Sequence, residues 1–337
     1  MKIAMIGGTG LIGSQAAIEL IERGHEVKTI SLPPIPTGSH LPSQLDIQLG
    51  NYMEMSDDEL RAFFQDCDGF VFAAGVDERI EGPAPIYDFF KKYNIDALDR
   101  LLKLAKECGI KHNVICGSYF TYFVKARPEV DLMTPHQYIR SRVDQQTLAL
   151  SHADQDFDVA VLELPYIYGT QPGRKPVWVF LAEMLLATPD ATYYPRGGTT
   201  MVTVKQVGQA IAGALERNRG GNAYPIGYYN MTWVEMLTIC QQALGLDKPI
   251  ITIPDEAYLQ SSAQMMEQRR AAGFDPGLDM VKFADLQLSN MFIDKELGCI
   301  PLGVEDDDIV AAITESMVLS KEILDGQVQD AVDMKAE

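Results

Sequence analysis

Apolar residues along the chain follow two alternating periods: short runs without a polar break, and longer stretches with apolar positions three and four apart. The first run, residues 2–6, ends in Gly7-Gly8-Thr9-Gly10, and from Leu11 to Arg23 the spacing turns helical until Gly24. That order predicts a buried strand, a glycine turn and a helix closed by a glycine C-cap. Further strands are predicted over 26–32, 45–49 and 69–74, the last wholly apolar, with a short helix over 59–64. A long helix is predicted over 87–108, where Phe90, Ala97, Leu98, Leu101 and Ala105 share a face and Gly109 supplies the stop. Residues 113–117 read as a fifth strand. Thr134 reads as an N-cap, with Pro135 in the first turn and Gln137 closing a capping box, so a helix should run from there to His152. Residues 157–164 complete the series as a sixth strand.

The regular alternation of strand and helix implies an α/β fold: a Rossmann-type doubly wound parallel sheet with helices on both faces. After Pro165 the pattern loosens into loops rich in Gly, Pro and aromatic residues, then resumes as a helix over 204–216 and a strand over 223–226. Thr232-Trp233-Val234-Glu235 opens another capped helix. The expected division is a sheet domain of residues 1–169 plus about 201–227, a smaller C-terminal substrate lobe of about 170–200 and 228–325, and a frayed tail over 326–337.

Composition narrows the function classes. The 337 residues are 47% hydrophobic and 22% charged, with no 18-residue apolar run, so a membrane-spanning protein is not expected. The opening apolar run is too short for a signal peptide. Five cysteines without a CxxC pair signal neither a disulfide framework nor a thiolate zinc site, and a reducing cytoplasm fits them. With 28 Lys and Arg against 47 Asp and Glu, the net charge of −19 repels phosphate backbones, so no nucleic acid partner is expected. The five histidines never take ligand spacing, and no metal is predicted.

The strongest local signal is Gly7-Gly8-Thr9-Gly10-Leu11-Ile12-Gly13, because it lies between a predicted strand and helix as a phosphate-binding turn must. Gly7 allows the tight turn, Gly10 lets the backbone approach a pyrophosphate, and Gly13 lets helix pack on strand. A Rossmann site that prefers NAD carries an acid some 20 residues on. Here Ser31-Leu32-Pro33-Pro34 stands in that place, with no Arg or Lys before Glu54, so the choice between NAD and NADP stays open.

With these glycines, Phe72-Ala73-Ala74-Gly75, Asn94, Gly117-Ser118, the Tyr138 helix, Leu164-Pro165-Tyr166-Ile167-Tyr168-Gly169 and Ala223-Tyr224-Pro225-Ile226-Gly227 follow in order. The sequence resembles the extended short-chain dehydrogenase/reductase family, in its epimerase/dehydratase-like branch, over nearly the whole chain. The resemblance implies a cofactor site built by Gly7, Thr9, Gly10, Leu11, Ile12, Gly13, Ser31, Asn51, Ala73, Ala74, Gly75, Asn94, Pro165 and Tyr166. Asn51 stands where the family usually has Asp, and Asn94 is expected to brace the active-site loops.

The family acts on a carbonyl or secondary alcohol with a Ser, a Tyr and a Lys four residues after the Tyr. Ser118 and Tyr138 match the first two, and residue 142, one helical turn from Tyr138, shares its face. Position 142 is Arg, which keeps the positive charge but replaces a compact ammonium with a planar fork. A phenol with a reference pKa of about 10 needs a nearby cation to act as acid or base near neutrality. The resemblance therefore implies hydride transfer on a small molecule by a reductase, dehydrogenase or epimerase, with Tyr138 moving the proton, Ser118 orienting the oxygen and Arg142 supplying charge. The alternative is a catalytically silent NAD(P)-binding sensor or scaffold. Dehydration is disfavoured, since Tyr119 and Phe120 rather than acids follow Ser118. A sugar-nucleotide substrate would need cations such as Arg174, Lys175 or Arg196. Tyr119, Phe120, Tyr122, Phe123, Tyr166, Tyr168, Trp178 and Phe180 are expected mostly as packing, partly as a substrate wall. The resemblance also suggests a homodimer through the helices at 87–108 and 135–152.

Overall fold

Strands that are apolar on both faces can be buried only in a sheet covered on both sides, and the computed structural model, which describes residues 1–333, places them there. The central sheet has seven strands: β1 (Lys2–Ile6), β2 (Glu26–Ser31), β3 (Asp46–Leu49), β4 (Gly69–Phe72), β5 (His112–Cys116), β6 (Asp158–Glu163) and β7 (Gly221–Pro225). Their order is β7-β6-β5-β4-β1-β2-β3, and every pairing is parallel. Chain order reverses between β1 and β4, so the crevice beyond their carboxyl ends is the switch point where ligands bind in such sheets.

Alternation along β1 divides the core. Ile3 and Met5 pack with α1 (Leu11–Glu22) and with the helix Val204–Arg217 on one face. Ala4 and Ile6 pack on the other with Leu60 and Phe64 of the helix Asp57–Phe64 and with Leu98 and Leu101 of Ala97–Glu107. A third apolar cluster lies under the smaller lobe, around fully buried Trp233 and Tyr168. There Gly198–Thr203 pairs with Tyr166–Tyr168 in parallel and with Tyr229–Thr232 antiparallel. The capping box expected at Thr232 and Glu235 is formed.

Four local expectations needed tertiary information. The long helix is continuous, but Lys91–Asp96 winds as a π-helix between Tyr87–Phe90 and Ala97–Glu107. Within that wide turn Asn94 accepts from the Val76 amide at 2.9 Å and donates to the Val76 carbonyl at 3.0 Å. Such bulges trade ideal helix geometry for a side chain aimed at a site. The helix Gln137–Ser151 starts later than expected, with His136 as N-cap. The amide of Thr134 is held by the Asp131 carboxylate at 3.0 Å, a local turn that competes with the helix start. Phe120–Ala126 is a helix that the sequence pattern did not predict. In the expected tail, residues 334–337 lie outside the described residues. Just before them the chain is not frayed, for Val332 donates to Gly173 O at 2.8 Å and accepts from Lys175 N at 3.1 Å.

Candidate active site

At the end of β1 the chain must turn sharply into α1. Gly7 does so at φ +91°, with Ala73 O only 2.5 Å from where a Cβ would stand. A Cβ on Gly13 would lie 2.1 Å from Gly7 O, so only glycine lets α1 sit this close to the turn. The amides of Gly8 and Thr9 are held by Thr29 Oγ1 and Ser31 Oγ of β2, at 2.9 and 3.1 Å. The N-cap of α1 is Gly10, which offers no side chain, and the first turn carries no acid. The first-turn amides are thus left for an external anion at a positive helix end. These features fit the pyrophosphate of a dinucleotide.

A cleft of about 850 Å³ runs from this turn across the ends of the sheet. Gly7, Thr9, Gly10, Leu11, Ile12, Ser31, Ala73, Ala74, Gly75, Pro165 and Tyr166 line it. Three expected cofactor residues stand behind it instead. Gly13 is a packing contact, fully buried Asn94 holds the Val76 loop, and Asn51 caps its own turn by accepting from Met53 N and donating to Glu54. Ser31 turns its hydroxyl toward Thr9 and Thr29, so the position of the usual ribose acid is used to pin the glycine turn.

Ser118, Tyr138 and Arg142 line the cleft at its far end. Ser118 follows β5, and Tyr138 and Arg142 lie one turn apart on Gln137–Ser151. The Tyr138 ring is fixed edge-on by Phe90 and Phe120, with centroids 5.5 and 6.2 Å away. Its amide donates to Gly277 O at 2.9 Å, tying the helix to the smaller lobe. Burial pushes the Tyr138 phenol above its ordinary value; the Arg142 cation and the Ser118 hydroxyl oppose that, while Glu78 and Asp77 add to it. The Arg142 guanidinium lies 5.8 Å from the centroid of the Tyr138 ring. Its Nη2 donates to Cys116 O at 2.7 Å, and its buried Nε has no partner.

Beyond Tyr138 the cleft is walled by Tyr119, Phe120, Tyr166, Trp178, Phe180 and Phe283. Of the aromatic residues singled out in the sequence, Phe123 and Tyr168 pack in the core, and Tyr122 packs against it. Sequence reasoning missed the acidic pair Asp77-Glu78, which enters the cleft from the loop after β4. Burial, with Asp77 nearby, pushes the Glu78 carboxyl up. Only the aligned strand ends reveal that this loop faces Ser118. Of the candidate cations for a substrate phosphate, Lys175 pairs with Asp333 at 3.2 Å and Arg196 with Asp255 at 2.7 Å, and neither lines the cleft. No cluster of His, Cys, Asp or Glu able to hold a metal occurs among the described residues, and none of their helices is long and apolar enough to cross a membrane.

A parallel sheet with a glycine turn at its switch point and a long cleft beyond it defines a Rossmann-type dinucleotide-binding protein. The model of the NAD dependent epimerase/dehydratase family matches residues 3–227, and the chain belongs to that family. A putative dihydroflavonol 4-reductase of Synechocystis sp. is 22% identical over 331 residues, 92% of each chain. Among solved structures, a UDP-glucose 4-epimerase from Bifidobacterium longum in complex with NAD+ and UDP is 16% identical, with a TM-score of 0.68 over 96% of this chain and 98% of its own. An NAD-dependent NDP-hexosamine 5,6-dehydratase involved in tunicamycin biosynthesis is 16% identical, with a TM-score of 0.65 over 95% and 98%. Epimerases, dehydratases and reductases thus share this fold, and the cofactor of the family is NAD.

Proposed function

We propose that the chain is a nicotinamide-dinucleotide-dependent oxidoreductase or epimerase acting at a carbonyl or secondary alcohol of a small molecule, and within that range a reductase of compounds with an apolar or aromatic body. The observation that carries the reading is the meeting of Ser118, Tyr138 and Arg142 in the cleft that begins at the glycine turn. A nicotinamide held in this cleft would supply or take up the hydride. The Ser118 hydroxyl hydrogen-bonds the substrate oxygen and orients it. Tyr138 gives that oxygen a proton, and its raised pKa keeps the phenol protonated at neutral pH, as a proton donor in reduction must be. Arg142 offsets negative charge as it develops beside the ring.

The aromatic wall supports the substrate class. Of the cations at the substrate end, Arg79 pairs with Asp77 and Arg269 with Glu81, an arrangement poorly suited to a second pyrophosphate. The name of the cyanobacterial relative, a dihydroflavonol reductase, agrees with this choice. A second reading rests on Arg142, whose Nη2 is committed to the end of β5: the chain binds the dinucleotide as a silent sensor.

A panel of aromatic and aliphatic ketones and aldehydes, read by deuterium transfer from labelled cofactor, separates the two. Transfer that falls about 10²- to 10⁴-fold in Tyr138→Phe, and not in a Tyr193→Phe surface control, supports the enzyme. Cofactor binding without transfer on any member of the panel supports the sensor.

A further inference from the structure

Arg174 is an anomaly in an acidic chain. It belongs to the loop after Tyr166–Tyr168, on the substrate side, yet it reaches back across the cleft to the glycine turn. Its Nη2 donates to Thr9 O at 3.1 Å and its Nε to Gln171 Oε1 at 2.7 Å. Gln171 already donates to Thr9 O at 3.0 Å, so satisfying that carbonyl does not require the arginine. Nη1 has no hydrogen-bond partner, and no carboxylate pairs with Arg174 among the described residues, although the chain has 47 acids. Asp333, the acid that reaches this loop, goes to Lys175. Burial alone perturbs the guanidinium, pulling its pKa down, and a half-buried cation without a counter-charge is unfavourable until an anion meets it.

The loop is held firmly. Gly173 packs so tightly on the segment after β2 that a Cβ would stand 2.1 Å from Thr37 O. Val332 brackets the other side through Gly173 O and Lys175 N. Arg174 is therefore fixed between the glycine turn and the connection leaving β2, near the open amides of α1. The end of β2 itself has neither acid nor base to offer.

We propose that Arg174 is a cofactor-binding residue that grips a phosphate of the dinucleotide, the loop 171–175 supplying the cation missing after β2. This inference rests on the dinucleotide-binding reading above. The phosphate is either the pyrophosphate common to NADH and NADPH or the 2′-phosphate of NADPH.

Titrations of the intact protein with NADH and NADPH, followed by cofactor fluorescence, test it in the wild type, Arg174→Gln, Arg174→Lys and Arg196→Gln. Loss of a charge-assisted hydrogen bond should weaken binding about 10- to 100-fold in Arg174→Gln. Arg174→Lys should recover part of that loss, and Arg196→Gln, which removes a cation that lies outside the cleft and pairs with Asp255, should bind as the wild type. Equal weakening of both cofactors assigns the pyrophosphate; weakening of NADPH alone assigns the 2′-phosphate. If Arg174→Gln binds both as the wild type does, or Arg196→Gln weakens binding equally, the proposal is overturned. Should Arg174→Gln not fold, Arg174→Lys decides: weaker binding than the wild type at matched salt supports a guanidinium grip, and affinity equal to the wild type overturns it. A wild type that binds neither cofactor overturns the dinucleotide reading itself.

Discussion

Acidification should weaken the joint between the helix that carries Tyr138 and the smaller lobe, and His136 sets the size of the effect. His136 is fully buried at the N-cap of that helix. Its Nδ1 accepts the Asp279 amide at 3.1 Å, and its ring meets Phe283 edge-on with centroids 5.7 Å apart. The ring is therefore neutral, with its proton on Nε2, which has no partner. Burial pulls its pKa from 6.5 to about 4, while Asp279 and Asp131 oppose the shift. The unfolded chain takes up the proton near 6.5 and the folded chain only near 4, so stability from the neutral ring is complete above 6.5 and is lost as pH falls through 4. At roughly 1.4 kcal/mol per pKa unit the loss is about 3 kcal/mol. Urea unfolding at pH 7 and at pH 4 measures it in the wild type and in His136→Asn, whose amide oxygen can accept from Asp279 without titrating. Paired carboxylates lose their contribution in both proteins, so the difference isolates the histidine. The wild type should lose about 3 kcal/mol more than the variant between the two pH values. Parallel losses would refute the reasoning.

Gly13→Ala should cut NADH affinity at least about tenfold and cost about 1–3 kcal/mol in unfolding experiments, since its methyl meets three backbone atoms that cannot yield; wild-type affinity would contradict the packing argument. Asn94→Ala strips partners from both the amide and the carbonyl of Val76 and should cost about 2–4 kcal/mol, with faster hydrogen exchange at the Val76 amide. An unchanged exchange rate would show that the loop does not depend on it. Because burial raises the Tyr138 pKa, reduction should keep a level rate from roughly pH 6 to 9, as the donor stays protonated throughout. A reductive rate that falls as pH rises through 7, and does so only while Tyr138 is present, would show that the phenol titrates there and would refute the raised pKa.

Several features of the site could be read along the chain because their cause is local. A glycine turn after a five-residue strand needs positive φ and close helix approach, and both requirements lie within Lys2–Gly13. The one-turn spacing of Tyr138 and Arg142 is a property of any helix that contains both. Other features have causes that lie far away. The capping box at Thr134 gave way to a bond of the same range, the Asp131 carboxylate taking its amide, while the helix start at His136 is pinned by the distant Asp279 amide. Asn94 holds Val76, 18 residues away, from within a π-turn that no local pattern announces. Ser31 stands at the expected distance from the turn, yet its hydroxyl serves the turn rather than the cleft.

The strand–helix order, the doubly wound sheet and the glycine turn were written in the chain, since hydrophobic period and the backbone needs of glycine are set by near neighbours. Which distant segments share the cleft was settled by the three-dimensional fold. Parallel strands bring the Asp77-Glu78 loop level with Ser118, and the smaller lobe folds Arg174 back 165 residues in sequence onto Thr9. Those meetings depend on how the sheet closes and on which charges find partners, and no window of neighbouring residues contains that information.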